Sequence, residues 1–198
     1  MDHRESLIVL DRDGVLNRTV PNPAEPRPDS PLRVGEVAVF PWVPEILRAL
    51  TAAGFGLVVA SNQPAAAKGK TTRAALEDVH AEVLRAAQAA GGVIASSHVC
   101  FHRAEDGCAC RKPAPGLLAE AFARHPQFRP EASWIAGDRA TDVLAGAALG
   151  LRTALLTDAP EAELAVLTAR GLRPSFLGAD LRDFAAYLLA PSLEGPRD

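Results

Sequence analysis

Short apolar runs alternate along this chain with longer segments in which apolar residues recur every three or four positions. The short runs, each bounded by turn residues or charge, predict buried strands, and the longer segments predict amphipathic helices. The predicted strands are 7–10, 56–60, 93–100, 134–136 and 153–156. The predicted helices are 43–53, 72–90, 116–124, 140–148, 161–169 and 181–190. Such alternation predicts an α/β fold with a Rossmann-like, doubly wound parallel sheet.

The length of 198 residues suits one domain, which we expect to cover residues 1–190 and to be followed by a frayed tail at 191–198. The segment 21–31 is rich in proline, and this composition predicts a surface loop, to which we assign no role. No inserted segment is long enough to fold as a separate lid, so we expect no large cap domain.

Charge and composition limit the classes of molecule that the protein is expected to bind. The formal net charge of -3 offers no basic field for a nucleic-acid backbone. The apolar run near the amino terminus is too short for a signal peptide or a membrane span. We therefore expect a cytoplasmic monomer that acts on a small solute, with no nucleic-acid or membrane partner.

Polar residues follow four of the predicted strands. In an open α/β sheet, ligands bind at the carboxyl ends of the strands, so these residues are expected to share one rim. Each has a simpler explanation alone, such as a helix cap for Ser61 or a turn residue for Asp138, but the coincidence of all of them favours a catalytic site. They are Asp11 and Asp13, then Ser61, Asn62 and Gln63, then Arg111 and Lys112, and finally Asp138, Arg139 and Asp142.

The motifs DRDG, SNQ, KP and GDRATD, spread over residues 7–142, resemble the four ordered motifs of the haloacid dehalogenase (HAD) superfamily. The resemblance implies that Asp11 attacks phosphorus and forms an aspartyl-phosphate. It implies that Asp13 protonates the leaving oxygen and later activates water. Ser61 and Lys112 would then contact the phosphoryl oxygens.

Magnesium is the cofactor that this chemistry requires, because the charges of the carboxylate and the phosphate must be offset during approach. We expect Asp11, Asp138 and the backbone carbonyl of Asp13 to bind it, with Asp142 tuning the site from behind these ligands.

All three cysteines fall within residues 100–110, in the pattern Cys100-x-His102 followed by Cys108-x-Cys110. Three thiolates and one imidazole complete a tetrahedral zinc shell, which predicts a structural zinc ion. His98 is the nearby alternative to His102 as the fourth ligand. The two closely spaced pairs, Cys100-x-His102 and Cys108-x-Cys110, which we call the hooks, favour His102. Zinc at this loop would anchor the segment that carries Lys112.

Within the superfamily, the hooks followed by RKPAPG resemble the branch of heptose-1,7-bisphosphate 7-phosphatases and histidinol-phosphate phosphatases. DRDGVLN, SNQ and CRKPAPGLL are closer to the heptose enzymes, whereas the five-residue gap between the hooks resembles the histidinol enzymes. A nucleic-acid 3'-phosphatase and a non-catalytic zinc-stabilised binding module are weaker alternatives. The expected substrate-binding residues are Asn17, Asn62, Gln63, Arg111 and Arg139.

Overall fold

A computed structural model describes residues 3–22 and 28–190, and its centre is a parallel sheet of six strands. The strands are β1 (Leu7–Leu10), β2 (Gly56–Asn62), β3 (Ser96–Cys100), β4 (Trp134–Gly137), β5 (Arg152–Leu156) and β6 (Phe176–Gly178). They lie in the order β3-β2-β1-β4-β5-β6, and all neighbouring pairs are parallel. The predicted doubly wound parallel sheet is confirmed.

Helices cover both faces of the sheet. They are α1 (Val43–Ala52), α2 (Arg73–Ala87), α3 (Gly116–Arg124), α4 (Ala140–Ala147), α5 (Glu161–Thr168) and α6 (Leu181–Leu189). Because side chains alternate across a strand, Ile8 and Leu10 of β1 join the core with α1, α2 and α6, while Leu7 and Val9 pack with α3 and α4. Both faces are therefore apolar, which explains why the central strands are continuous apolar runs.

Two differences from the prediction have clear causes. Strand β6 has three residues and an exposed Leu177, so it carries too little apolar pattern to be recognised in the sequence. Strand β2 extends two residues further than predicted, because Ser61 and Asn62 still pair with Val99 and Cys100 of β3. The end of β2 was therefore missed in the sequence, because its last residues are polar and do not continue the apolar run.

Residues 23–27 of the proline-rich segment and residues 191–198, which were predicted to fray, lie outside the described residues. Where the proline-rich segment is described, Val20 and Asp29 form an antiparallel bridge, and the Asp29 carboxylate contacts Lys70 at 2.7 Å. In the described parts of 11–42 and 101–115 there is no α-helix or named strand that could form a cap. No described helix has the length and apolarity needed to cross a membrane.

The order of the strands positions the site. From β1 the chain builds the sheet outward through β2 and β3, and it then returns to place β4, β5 and β6 on the other side. The connections after β1 and β4 diverge there and leave a crevice at the carboxyl ends of these strands.

Candidate active site

A cleft of about 540 Å³ opens at this crevice. Residues from the ends of β1, β2 and β4, together with the segment after β3, contribute to its walls. Nine of the residues expected from the sequence line it: Asp11, Asp13, Ser61, Asn62, Gln63, Arg111, Lys112, Asp138 and Arg139. Asn17 and Asp142 are buried next to these residues and do not line the cleft.

The turn after β1 brings its carboxylates against β4. Asp11 continues the strand pairing, since its backbone N–H donates to the Ala136 carbonyl at 2.9 Å. Gly14 has a φ of 82°, in the left-handed region that favours glycine, and a Cβ at this position would collide with the Asp138 carboxylate. Glycine at position 14 therefore allows the turn to close around the site.

Asp11, Asp138 and Asp142 form a cluster whose carboxylate oxygens lie within 4.8 Å of one another. Burial is the main cause that raises the pKa of Asp11 to about 6, against the opposing effect of Lys112. Burial, followed by repulsion from Asp11 and Asp142, raises the pKa of Asp138 well above its usual range. Crowded carboxylates with raised pKa values are what a bound cation would relieve, and their hard oxygens fit Mg²⁺.

Lys112 is the positive charge at the base of this cluster. Its Nζ lies 3.0 Å from Asp11 and 2.5 Å from Asp142, and it donates to the Ala60 carbonyl at 2.6 Å. Burial alone would lower the pKa of Lys112, but the two carboxylates outweigh it and raise the pKa. The ammonium group is therefore held in its charged form between two acidic groups.

The side-chain amide of Asn62 holds the backbone of Lys112. Its Oδ1 accepts from the Lys112 N–H at 3.1 Å, and its Nδ2 donates to the Lys112 carbonyl at 2.9 Å. Asn62 was expected to bind substrate. In the structure its two polar atoms are used to fix the residue that follows Arg111.

Asp13 is surrounded by hydrogen-bond donors. Its Oδ1 accepts from Arg12 and Asn17, and its Oδ2 accepts from Arg12, Ser30 and Gln63, at distances from 2.6 to 3.2 Å. Burial alone would raise the pKa of Asp13, but the Arg12 guanidinium and the hydrogen bonds lower it. We call Arg12, Asn17, Ser30 and Gln63 the donor ring.

The donor ring differs from the sequence expectation in two ways. Asn17 and Gln63, expected to bind substrate, direct their amide nitrogens at Asp13, and Gln63 also donates to the Ser61 hydroxyl at 2.9 Å. Arg12 and Ser30 were not identified from the sequence. Arg12 is fully buried and lies inside the DRDG motif, which is a usable signal, but nothing in the proline-rich segment distinguished Ser30.

Cys100, His102, Cys108 and Cys110 converge on one point beside the cleft. The sulfur–sulfur separations are 3.2, 3.4 and 3.7 Å, and the sulfur–Nδ1 separations are 3.2 and 3.5 Å. A tetrahedral ion with Zn–S bonds of about 2.3 Å needs sulfurs about 3.8 Å apart, so this donor set fits zinc after a small expansion. His98 lies elsewhere, with its ring nitrogens near Ser96 and Glu120.

The thiols in this cluster are in unequal environments. Burial is the main cause that raises the pKa of Cys110 to about 12. Burial also acts on Cys108, but a backbone hydrogen bond from Arg111 and bonds from the other thiols outweigh it and lower the pKa to about 7. Cys108 therefore loses its proton more readily than Cys110.

Two arginines line the cleft. Arg111 Nη1 donates to the backbone carbonyl of His102 at 3.1 Å, which ties this guanidinium to the cysteine cluster. Arg139, which follows Asp138 in the chain, also lines the cleft. Two cleft lysines, Lys68 and Lys70, were not identified from the sequence.

Comparison with known proteins supports this geometry. A HAD-hydrolase-like family model matches residues 109–184. A D-glycero-beta-D-manno-heptose-1,7-bisphosphate 7-phosphatase of Pseudomonas putida is 34% identical over 155 residues, which are 76% of this chain and 81% of the relative. A D-glycero-alpha-D-manno-heptose-1,7-bisphosphate 7-phosphatase of Mycobacterium tuberculosis is 32% identical over 143 residues, 69% of this chain and 68% of the relative.

A solved structure gives the same result. The crystal structure of the D,D-heptose 1,7-bisphosphate phosphatase from Bordetella bronchiseptica, complexed with magnesium and phosphate, superposes with a TM-score of 0.77. It is 32% identical, and the match covers 93% of this chain and 98% of that one.

The sheet order, the carboxylates at the end of β1 and the motifs at the other strand ends define a hydrolase of the HAD type. The chain belongs to the family of HAD phosphatases that contains these relatives, and it is a phosphoric monoester hydrolase.

Proposed function

We propose that this phosphatase removes the 7-phosphate of a D-glycero-D-manno-heptose 1,7-bisphosphate by way of an aspartyl-phosphate on Asp11. The observation that carries the proposal is the combination, in one cleft, of the Asp11–Lys112 pair with a second cationic group, Arg111. One phosphate can bind for transfer while the other pairs with the arginine. The names of the relatives support the same substrate.

In the first step, the Asp11 carboxylate forms a bond to phosphorus as the bond from phosphorus to the sugar oxygen breaks. Asp13 gives its proton to that oxygen, and the Lys112 ammonium and the Ser61 hydroxyl stabilise the phosphoryl oxygens. With a pKa of about 6, Asp11 is mostly ionised and nucleophilic at neutral pH. Mg²⁺ held by Asp11, Asp138 and the Asp13 carbonyl, with Asp142 beside them, would offset the charge of the phosphate.

In the second step, a water molecule attacks the aspartyl-phosphate, Asp13 takes a proton from it, and phosphate leaves with Asp11 restored. The donor ring favours the ionised form of Asp13, which is the form that accepts this proton. Delivering a proton in the first step requires the other form. At least one hydrogen bond from the donor ring to Asp13 must therefore break as substrate binds.

We also propose that the four-residue cysteine–histidine cluster holds a structural zinc ion. We expect the purified protein to contain about one zinc per chain and His102→Ala to lose it, since one of four ligands is removed. Elemental analysis measures this directly. Zinc loss should also lower the melting temperature and free Arg111 from the His102 carbonyl that now fixes it.

His98→Ala is the matched control, because His98 lies on the same strand but contacts Ser96 and Glu120 instead of the cysteines. It should keep its zinc. Wild-type zinc content in His102→Ala, whatever the content of His98→Ala, would show that His102 is not a ligand.

The Arg111 assignment predicts a change that depends on the substrate. Arg111→Ala should lower kcat/KM for the bisphosphate by roughly 10- to 100-fold, the effect of about 1.5–3 kcal/mol for one charge-assisted contact, and change p-nitrophenyl phosphate hydrolysis far less. Arg111→Lys keeps the charge and should recover part of the loss. Equal losses on both substrates would mean that Arg111 acts on the transferred phosphate.

A comparison of phosphorylated metabolites by kcat/KM tests the substrate itself. Both anomers of the heptose bisphosphate belong in it, because the names of the relatives differ in anomer. Histidinol phosphate belongs in it too, because the five residues between His102 and Cys108 match the spacing of histidinol-phosphate phosphatases. A higher kcat/KM for histidinol phosphate would refute the heptose proposal.

A further inference from the structure

Ser30 lies in the proline-rich segment, outside every motif that identified the site. Its hydroxyl donates to Asp13 Oδ2 at 2.8 Å, and the residue lines the cleft. The neighbouring residue, Asp29, bonds through its backbone N–H and carbonyl to Val20 at 2.9 and 2.8 Å, and these bonds do not involve its side chain. Ser30 is therefore held in place independently of its contact with Asp13.

The members of the donor ring come from different segments and differ in burial. Arg12 and Asn17 are fully buried, Gln63 is 1% exposed, and all three belong to the segments that follow β1 and β2. Ser30 comes from a surface segment and is only partly buried. Ser30 and Gln63 are the ring members that line the cleft, and Ser30 alone of these two comes from outside the segments that follow β1 and β2.

We infer that Ser30 is a positioning residue for Asp13. Its hydroxyl and the Gln63 amide bind the same oxygen, Oδ2, from two different segments, and together they fix the rotation of the carboxylate toward the leaving oxygen. The inference rests on the proposed role of Asp13 as general acid. It also gives the proline-rich segment a function, which is to supply a contact to the acid.

The dependence of rate on the leaving group distinguishes positioning from a merely structural contact. A general acid matters most when the leaving oxygen is basic and little when the leaving group departs unaided. The ratio kcat/KM reports the steps up to the first irreversible one, here transfer of the phosphoryl group to Asp11. A series of aryl phosphates from p-nitrophenyl to phenyl, extended by the heptose bisphosphate, therefore measures how well Asp13 is placed.

We expect Ser30→Ala to lower kcat/KM about tenfold for the most basic leaving group and less than about twofold for p-nitrophenyl phosphate. Ser30→Thr retains a hydroxyl and should restore the wild-type dependence. Asp29→Asn is the control for a change elsewhere in the segment, since it removes the charge that pairs with Lys70 and leaves the backbone bonds to Val20 that hold Ser30 in place. It should not reproduce the steeper dependence.

Asp13→Asn in the same series tests the role of Asp13 separately from the role of Ser30. If Asp13→Asn steepens the dependence and Ser30→Ala does not, or if Asp29→Asn matches Ser30→Ala, the inference about Ser30 is refuted and the proposed mechanism stands. If Asp13→Asn leaves the dependence unchanged, Asp13 is not the general acid, and both its proposed role and the inference about Ser30 fail.

Discussion

Replacing Asp11 with asparagine is expected to abolish phosphatase activity and to leave the fold intact. The amide has nearly the shape of the carboxylate but cannot attack phosphorus. Steady-state hydrolysis of p-nitrophenyl phosphate and of the heptose bisphosphate measures the loss. Asp11→Ala should be equally inactive, and it guards against recovery of activity by deamidation of the asparagine. Hydrolysis near the wild-type rate in both variants would refute the aspartyl-phosphate mechanism.

The same substitution has an expected effect on stability, because burial raises the pKa of Asp11 from 3.8 to about 6. The folded state then binds more protons than the unfolded state between these values, so stability is lost as pH rises from about 4 to 6. At pH 7 without divalent cations, the charge disfavours folding by up to about 3 kcal/mol. In EDTA, Asp11→Asn should therefore melt no lower than the wild type. Asp78→Asn, an exposed carboxylate of α2, should change neither activity nor melting.

The sheet and the location of the site could be predicted from the sequence because both depend on local pattern. Apolar runs identify the central strands, and the carboxyl ends of parallel strands share one edge, so Asp11, Ser61 and Asp138 had to lie near one another. The cysteine hooks carry the same kind of local information. Their ligand atoms lie within 4.8 Å of one another in the fold.

The direction of individual side chains could not be predicted in this way. Asn17, Asn62 and Gln63 follow strand ends, and proximity alone made them candidates for binding substrate. In the structure their amides satisfy buried groups, namely the Asp13 carboxylate and the Lys112 backbone. Burying such groups without partners is costly, and a motif does not reveal which partner meets that need.

Ser30 was missed for a related reason. Its contact with Asp13 joins residues 17 positions apart across a segment without regular periodicity. Arg12 could have been suspected, because a charged residue between two catalytic carboxylates in a buried turn needs a partner. The sequence does not show that this partner is the adjacent Asp13.

Lys112→Met should impair both catalysis and folding, since the ammonium lies between two buried carboxylates. Its removal leaves Asp11 and Asp142 close together with no counter-charge, and breaking a buried ion pair in this way typically costs about 3–5 kcal/mol. Loss of a preorganised charge at the phosphoryl oxygens should lower kcat by about 10² to 10³. Denaturant unfolding, with and without Mg²⁺, and steady-state kinetics measure the two effects.

A second substitution separates these effects. Lys112→Met combined with Asp142→Asn removes one of the two unpaired carboxylates, so it should recover about 1–3 kcal/mol of the lost stability, while kcat stays as low as in Lys112→Met alone. Lys68→Met, at an exposed position of the same cleft, should not change stability measurably. If the double variant regained activity together with stability, Lys112 would serve to balance the charge of Asp142 and not to stabilise the transferred phosphate. If Lys112→Met were as stable as the wild type in EDTA, the buried carboxylates would not need the ammonium at all.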